Sequence, residues 1–336
     1  MTTESPSPII LTPRGPFSLA ASIRFLEGFG PARYRAAGDG VLRLAFPVET
    51  PDARWPVVGV AIRQQPDGTV VAEPDAPLAD DLRERAVAQL ARILSLDVDG
   101  SGFPALAADP VVAGLQMRFP GLRPVCFTSP YEAACWAVLS HRVRRSQAAV
   151  VKARLTAVHG ARRTVAGVQL SAFPDPATLL ALPGFDGIPD GKLRWLHGLA
   201  HAAADGRLTG ERLRGLDPAE ALVALRRLPG VGPFSAELTL IRGAGAPDVF
   251  PLAERRLHGA MVELYALPGR EPARLTEVAH RWAPYRSWVS VLIRSLHEAG
   301  LAASGDADAD RPTELPAGRL GAPGASGWAP RIPAYR

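Results

Sequence analysis

One stretch decides how this chain is interpreted: LPGVGPFSA at residues 228–236, a glycine-bounded turn between two segments with helical spacing of apolar residues. Gly230 and Gly232 permit the positive-φ or unhindered backbone that a tight hairpin requires. Because they lack side chains, backbone N–H groups at the start of the following helix can approach an anion such as phosphate closely. The same residues are also typical of an ordinary helix end, where glycine terminates a helix and proline breaks it. The turn alone leaves both interpretations open.

The turn is one of four motif blocks that follow one another along the chain. They are PGLR at 120–123 followed by Tyr131-Glu132, LPG at 182–184 followed by GIP at 187–189 and KLRWL at 192–196, the turn itself followed by DVFP at 248–251, and WAPYRSW at 282–288. With these blocks in this order, the segment from about residue 120 to 300 resembles the helix-hairpin-helix base-excision DNA glycosylases. It resembles the bacterial 3-methyladenine DNA glycosylase II group in particular.

This resemblance implies a DNA repair hydrolase. Such a protein binds double-stranded DNA, takes a damaged base out of the duplex and hydrolyses its N-glycosidic bond without a cofactor. The resemblance implies an alkylated base as substrate. A second interpretation stays open, a non-catalytic DNA-binding protein on the same fold, because one expected catalytic residue is replaced.

We expect an α+β protein with a small antiparallel α/β domain at 1–105 and a mostly helical glycosylase region at 106–303. Apolar runs at 41–46, 57–62 and 69–72 are separated by Gly, Asp and Pro turn signals, which predicts a sheet. Helical spacing at 19–27 and 82–94 predicts helices over one face of it. The predicted helices of the second region are 133–144, 147–159, 192–204, 218–226, 235–242, 255–265 and 275–299. Residues 304–336, rich in Gly, Ala, Pro and Asp, are predicted to be a disordered tail.

Composition narrows the class of protein further. A chain of 336 residues without an apolar run near eighteen residues indicates no membrane span. The N-terminal MTTESP does not resemble a secretory signal, so we expect a cytoplasmic, nucleoid-associated protein, and we expect a monomer. Two cysteines, Cys126 and Cys135, are too few for a four-cysteine iron–sulfur or zinc site, and we expect no metal.

The charge distribution favours a nucleic-acid partner more than the net charge does. The net charge of +5 and the pI of about 9.7 suit a polyanion, but an arginine-rich composition also follows from genome base usage. Between Glu132 and Asp175 no acidic residue occurs, whereas seven basic residues do: Arg142, Arg144, Arg145, Lys152, Arg154, Arg162 and Arg163. A block of one sign is expected on a surface that faces a duplex, and the alternative is a solvated basic face.

Glu254 is the candidate catalytic residue. Breaking a glycosidic bond leaves positive charge on the sugar, which a nearby carboxylate stabilises. The resembled group places an aspartate six residues after the Asp of its Asp-Val-Phe stretch, and in this chain that position, counted from Asp248, holds Glu254. The extra methylene moves the carboxylate by about 1.5 Å, and a misplacement of about 1 Å can cost on the order of a hundredfold in rate. Glu254 is therefore a working substitute, a slow one or a relic, or it only favours the start of a helix.

A lysine that could form a Schiff base is missing from the expected place. Related bifunctional enzymes, which also cut the DNA backbone, carry such a lysine just after the hairpin. Here that position is Phe234, and the only lysines, Lys152 and Lys192, lie in other blocks. If the protein cleaves the glycosidic bond, it does so as a monofunctional enzyme with water as the acceptor.

The predicted base pocket departs from the group's aromatic lining. Phe25 and Phe234 keep two of its positions, whereas Leu238, Arg255, Arg256 and Arg294 stand where aromatic or apolar residues are common. Arginines oppose a cationic base, so the lesion is neutral or bulkier unless these side chains point away or pair with Glu254. Each arginine can instead contact phosphate or solvent, and Arg294 can pair with Glu298 at i+4 spacing.

The predicted DNA contacts combine the hairpin with a wedge. The group carries an apolar residue that fills the gap left by the flipped nucleotide, and Arg142, after His141, stands at that position. A guanidinium can stack in the duplex or only contact phosphate. The full predicted DNA-binding set is Pro229, Gly230, Val231, Gly232, Ser235 and Arg142. Trp282 and Trp288 belong either to the core or to a stacking surface.

Overall fold

The protein is described by a computed structural model over residues 6–32 and 34–303, with side chains described as far as residue 298. The tail predicted at 304–336 lies outside the described residues. The architecture is α+β, as predicted: an antiparallel sheet near the N-terminus precedes a region made mostly of helices.

The N-terminal sheet has four antiparallel strands in the order β1-β4-β3-β2. They are β1 (Ile9–Leu11), β2 (Leu42–Pro47), β3 (Val57–Gln64) and β4 (Val70–Pro74). The register pairs Leu44 with Val60 and Ile62 with Ala72. Helices α1 (Leu19–Gly28) and α2 (Asp80–Ile93) bury apolar residues against one face in a single cluster. The three predicted strands and both helices are confirmed, and β1 was missed because three residues are too few to show a pattern.

The helical region contains helices α3 to α13. They are α3 (Pro110–Arg118), α4 (Pro130–Ser140), α5 (Arg145–His159), α6 (Pro176–Leu180), α7 (Asp190–Ala204), α8 (Gly210–Arg214), α9 (Pro218–Arg226), α10 (Pro233–Leu238), α11 (Arg255–Leu264), α12 (Pro272–His280) and α13 (Arg286–Ala303). A 3₁₀ turn spans Phe103–Ala108, and a π-helical turn at Thr239–Gly243 extends α10. Most of these helices begin at a proline. Proline suits the first helical position because the N–H that it lacks would have no partner within the helix there.

The structure corrects three sequence predictions. The single helix predicted at 275–299 is wrong: the chain leaves the helix at His280 and re-enters at Arg286, because Pro284 lacks an N–H donor and disfavours helix at the residue before it. The helix predicted at 133–144 ends at Ser140. The region after residue 106 also contains an unpredicted hairpin, β5 (Arg162–Val165) and β6 (Val168–Ser171), whose Val165 packs on the N-terminal sheet.

Two cores divide the helical region and adjoin at the neighbouring residues Val249 and Phe250. One surrounds α4, α7 and α9 and includes Leu228 and Val231 of the hairpin. The other surrounds α11, α12 and α13 and includes Trp282 and Trp288, which are 0% and 2% exposed, so both tryptophans belong to the core. The hairpin is thus held by the first core, and the segment that begins at Glu254 by the second.

Candidate active site

The hairpin at 228–236 is packed tightly against α7. Gly230 has φ +73°, as predicted, and a Cβ at this position would lie 2.9 Å from the ring of Trp195. On α7 itself, a Cβ at Gly198 would lie 2.4 Å from Cγ of Pro229. Side chains at either glycine would push the hairpin off the helix, so the two glycines fix its position.

Gly232 has a different reason to be glycine. Its φ of −90° and ψ of −175° are extended backbone that any residue adopts, so no positive φ requires glycine here. A Cβ built on Gly232 would meet no atom of the described residues within 4 Å. The position opens outward at the start of α10, next to the exposed N-terminal turn that contains Pro233 and Phe234. A side chain here would occupy only the space into which an external group can approach.

The loop before Glu254 is fixed to the start of α13. Asp248 accepts two hydrogen bonds from the Arg286 guanidinium, from Nε at 2.7 Å and Nη2 at 2.8 Å. The Ser287 hydroxyl donates to the carbonyl of Val249 at 3.0 Å and accepts from its N–H at 3.0 Å. The Arg286 guanidinium holds the pKa of Asp248 below its usual value although burial opposes this. The sequence blocks DVFP and WAPYRSW therefore meet in space and position the same loop.

Glu237 of α10 holds the last part of that loop. Its carboxylate accepts the backbone N–H groups of Leu252 at 3.0 Å and Ala253 at 2.9 Å. Burial raises the pKa of Glu237, and the two N–H donors counteract only part of this effect. The ring of His258 lies 3.1 Å from the Pro251 carbonyl oxygen, and burial lowers the pKa of His258. The backbone that leads into Glu254 is therefore held at three consecutive residues.

Glu254 stands at the N-cap of α11. Its Oε1 accepts the N–H of Arg256 at 3.1 Å, so the favourable placement at a helix start is observed. Its side chain is 20% exposed, and Oε2 lies 4.0 Å from Nε of Arg294. One carboxylate oxygen thus caps the helix, whereas the other faces a cation.

Arg294 belongs to a cluster of four alternating charges. Its Nη2 donates to Glu298 Oε1 at 2.8 Å, as the i+4 spacing predicted, and Nη1 of Arg145 reaches the same oxygen at 3.1 Å. Burial lowers the pKa of Arg294, while Glu254 and Glu298 oppose the shift. Its Nη1 is buried with no hydrogen-bond partner in the described part of the chain. The predicted alternative that a pocket arginine pairs with Glu254 is thus observed, at long range.

Known proteins of similar sequence are named as DNA repair enzymes. The chain is 34% identical over 218 residues to the "Probable bifunctional transcriptional activator/DNA repair enzyme AlkA" of Mycobacterium tuberculosis (strain ATCC 25618 / H37Rv). The aligned region covers 63% of this chain and 43% of that protein. The chain is also 31% identical over 176 residues to "DNA-3-methyladenine glycosylase 2" of Escherichia coli (strain K12), and this aligned region covers 50% of this chain and 58% of the relative. The chain therefore spans about half the length of these two relatives. No protein-family profile matches it.

A solved structure decides the fold. The "3-methyladenine dna-glycosylase from Archaeoglobus fulgidus" matches with a TM-score of 0.70 at 19% identity, over 87% of this chain and 98% of that chain. The chain has the helix-hairpin-helix DNA glycosylase fold. The resemblance inferred from the four motif blocks is confirmed, and α9 and α10 are two helices joined by the hairpin turn.

The predicted basic block of the glycosylase region is largely paired. Four of its seven basic residues form ion pairs with acids from other segments: Lys152 with Glu132, Arg163 with Asp75, Arg154 with Asp186 and Arg145 with Glu298. The prediction of a one-signed surface is wrong to this extent, because the fold brings acids to a segment that contains none. Arg142, Arg144 and Arg162 are exposed and form no ion pair with any described residue.

The predicted wedge lies beside a cavity. Arg142 is exposed in the turn between α4 and α5 and has φ +56°, a left-handed conformation that projects the turn from the helices. Between this turn and the start of α7 lies a cavity of about 780 Å³, which His141, Lys192 and Trp195 help to line. Burial lowers the pKa of His141, and the charges of Arg142 and Lys192 add to the effect. Trp195 contacts both the hairpin and His141, so it joins the wedge turn to the hairpin.

The predicted pocket residues fall into separate groups. Phe25 stacks on Phe29 with 5.6 Å between ring centroids, and the Arg242 guanidinium lies 4.9 Å from the first ring and 4.5 Å from the second. Leu238 joins this group because it packs with Phe29 against one cluster. Phe234 is 45% exposed and makes no ring contact with Phe25 in the described residues. Arg255 is exposed at the start of α11 and is not part of this aromatic group.

Two residues that help to build the candidate site were not predicted from the sequence. Glu237 stands among apolar residues in a segment with helical spacing. The one signal in the sequence is a carboxylate on the face of the helix that is expected to be buried, which indicates a hydrogen-bonding role. Arg242 lies in the π-helical turn, where burial lowers its pKa and its Nε donates to the Val125 carbonyl at 3.1 Å. Its place against two aromatic rings depends on contacts between segments far apart in sequence.

The described residues contain neither a candidate metal site nor a helix that could span a membrane. Residues 6–32 and 34–303 contain no group of three or more His, Cys, Asp or Glu side chains arranged to hold a metal ion. Within the same residues, every helix is too short or too polar to cross a bilayer.

Proposed function

We propose that the protein is a monofunctional DNA glycosylase of base excision repair that hydrolyses the N-glycosidic bond of a flipped, damaged base. One observation carries the proposal: Glu254 is a partly exposed carboxylate on a loop that Glu237 and Ser287 hold rigidly by its backbone. Positive charge develops on the sugar as the bond breaks, and a fixed carboxylate stabilises it without reorganisation. Glu254 supplies that charge and orients the attacking water.

The hairpin supplies the proposed anchor for DNA. The outward-opening Gly232 lets a phosphate oxygen approach the N–H groups of the first turn of α10, where the helix dipole favours negative charge. Pro229 and Val231 hold the turn against α7 and the first core, and Ser235 follows in the first turn. Arg142 projects from its own turn on the other side of Trp195 and acts as the wedge in the duplex.

The lysines support water as the acceptor of the glycosyl group. Phe234 occupies the place where a Schiff-base lysine would stand. Lys152 is buried in an ion pair with Glu132 at 2.6 Å, and Lys192 donates to the Leu139 carbonyl at 2.9 Å. The buried, ion-paired ammonium of Lys152 is no free nucleophile, and the half-buried Lys192 lies on α7 rather than at the position after the hairpin. The proposed enzyme therefore releases the base and leaves the DNA backbone intact.

We propose an alkylated base without positive charge as the substrate. The names of the relatives in M. tuberculosis and E. coli support DNA repair and methylated adenine respectively. The aromatic pair Phe25 and Phe29 already stacks on Arg242, and Arg294 adds a second cation beside Glu254. Two fixed cations repel a cationic base, so a neutral lesion fits this site better.

The test compares base release by the wild type and by Glu254→Gln from randomly methylated DNA, in which most methylated bases are cationic, and from DNA that carries neutral alkylated bases, with backbone nicking scored before and after alkali. We expect the wild type to release the neutral bases preferentially, the variant to release neither kind, and nicking only after alkali. Equal release by both proteins would remove Glu254 from catalysis. Tight DNA binding without release of methylated or neutral damaged bases would favour the non-catalytic interpretation. The proposed monomer and its association with the nucleoid are checked by light scattering and by fluorescence imaging in cells.

A further inference from the structure

Two carboxylates compete for Arg294. Glu298 lies one helical turn further along α13 and accepts from Nη2 at 2.8 Å, whereas the nearest oxygen of Glu254 lies 4.0 Å from Nε. The Arg294 side chain is only 15% exposed, so charges around it interact in a medium less polar than water. Under these conditions an arginine that is bound by one carboxylate is less available to another.

Glu298 is itself held by a second arginine. Nη1 of Arg145, the first residue of α5, lies 3.1 Å from the same Oε1 that accepts from Arg294. Arg145 follows the turn that carries Arg142, so the cluster reaches from the wedge turn to Glu254. The side chains of Arg145 and Glu298 are 36% and 38% exposed, so this outer pair is more open to solvent than the inner pair of Arg294 and Glu254, at 15% and 20%.

We propose that Glu298 is a positioning residue that holds Arg294 away from Glu254. A carboxylate in a close salt bridge has less charge left to stabilise a cationic sugar. By binding Arg294 at 2.8 Å, Glu298 keeps the guanidinium 4.0 Å from the outward oxygen of Glu254, which is too far for a hydrogen bond between the two. This inference rests on the proposed role of Glu254 in catalysis.

Other charged groups also face Glu254, and a substitution at Glu298 leaves these groups in place. Glu237 of α10 and His258 of α11 both interact with it electrostatically. Arg256 contributes its N–H and its charge from the first turn of α11. From α13 and α5 the facing groups are those of the cluster, namely Arg294, Glu298 and Arg145. A change at Glu298 alters only the last set directly.

Glu298→Gln tests the inference. We expect Arg294 to close on Glu254, which lowers the rate of base release at saturating DNA by about tenfold, a barrier change of about 1.4 kcal/mol. We also expect the acid limb of the pH–rate profile to move to lower pH, because a carboxylate paired with arginine is harder to protonate. Affinity for undamaged duplex should stay unchanged. Glu277→Gln, at an exposed position of α12, is the matched control.

A double-mutant cycle separates this role from a structural one. In an Arg294→Gln background Glu298 has no Arg294 to bind, so Glu298→Gln should not change further the rate of base release or the acid limb of the pH–rate profile. Glu298→Asp keeps the charge and should recover part of the rate. The inference is overturned if Glu298→Gln leaves the acid limb in place, or if it slows both backgrounds equally. Circular dichroism verifies that each variant folds. If Glu298→Gln does not fold, the rate and pH profile of Glu298→Asp are compared with those of the wild type instead.

A measurement without substrate distinguishes the two proposals. Crystal structures of the DNA-free wild type and of Glu298→Gln give the distance from Arg294 Nε to Glu254 Oε2, which is 4.0 Å here. Glu298→Gln should shorten this distance to that of a hydrogen bond, about 3 Å, whereas Glu277→Gln should leave it unchanged. If the wild type releases no base but the distance shortens as expected, the proposed function fails and the inference about the cluster stands. An unchanged distance in Glu298→Gln overturns the inference whatever the activity.

Discussion

Removing the Glu237 carboxylate tests whether the loop before Glu254 must be held for the reaction. Glu237→Ala deletes two hydrogen bonds, at 3.0 and 2.9 Å, from the N–H groups of Leu252 and Ala253. Hydrogen bonds to charged groups contribute about 1.5–3 kcal/mol each. Leu252 is exposed and its freed N–H can bind water, so the combined loss of unfolding free energy should be about 2–4 kcal/mol. With the loop released, a displacement of Glu254 by about 1 Å should lower the rate about a hundredfold.

The assay combines urea unfolding with single-turnover base release at saturating enzyme. Glu84→Ala, at an exposed position of α2 without an ion pair among the described residues, controls for loss of a glutamate. Affinity for undamaged duplex should stay within a factor of two or so of the wild type, since the hairpin is untouched. A Glu237→Ala protein that is destabilised as expected yet releases base at the wild-type rate would refute the link between this loop and catalysis.

Three further outcomes follow from the geometry. Gly232→Asp should weaken binding to damaged and undamaged duplex alike across a salt titration, because the carboxylate would occupy the space where phosphate approaches; unchanged affinity would remove the hairpin as the anchor. Gly230→Ala should cost about 1–3 kcal/mol of unfolding free energy in urea, since φ is +73° and Trp195 leaves no room for a Cβ. Because burial raises the pKa of Glu237 in the folded state, its contribution to stability is complete below the unfolded pKa and declines as pH rises through the folded one. The difference in unfolding free energy between wild type and Glu237→Gln should therefore decrease between pH 4 and pH 8, and a difference independent of pH would contradict the raised pKa.

Local sequence was sufficient wherever local chemistry decides structure. Gly230 signalled the hairpin because few other residues adopt its conformation, and α9 was predicted to the residue because an Asp cap and a first-turn proline mark its start. The four motif blocks likewise predicted the fold from their order. Position 254 was identified by counting from Asp248, a method that gives the residue and not its surroundings.

Long-range pairing was beyond the reach of sequence patterns. The segment between Glu132 and Asp175 contains no acid, yet Arg163 meets Asp75 from 88 residues away, and Arg145 meets Glu298 from 153 residues away. Strand β5 reads Arg-Arg-Thr-Val, too short and too polar to show alternation. Such features depend on which surfaces the helices bring together, and no single segment carries that information.

The junction between the Asp248 loop and α13 determines what a substitution at position 254 can change. The Arg286 guanidinium and the Ser287 hydroxyl tie the loop to the same helix that carries Arg294. These hydrogen bonds fix the start of the loop to the helix, so the length and rotamer of the side chain at position 254 set the reach of its carboxylate toward Arg294. Exchanging glutamate for aspartate at position 254 therefore shortens that reach and leaves the scaffold as it is.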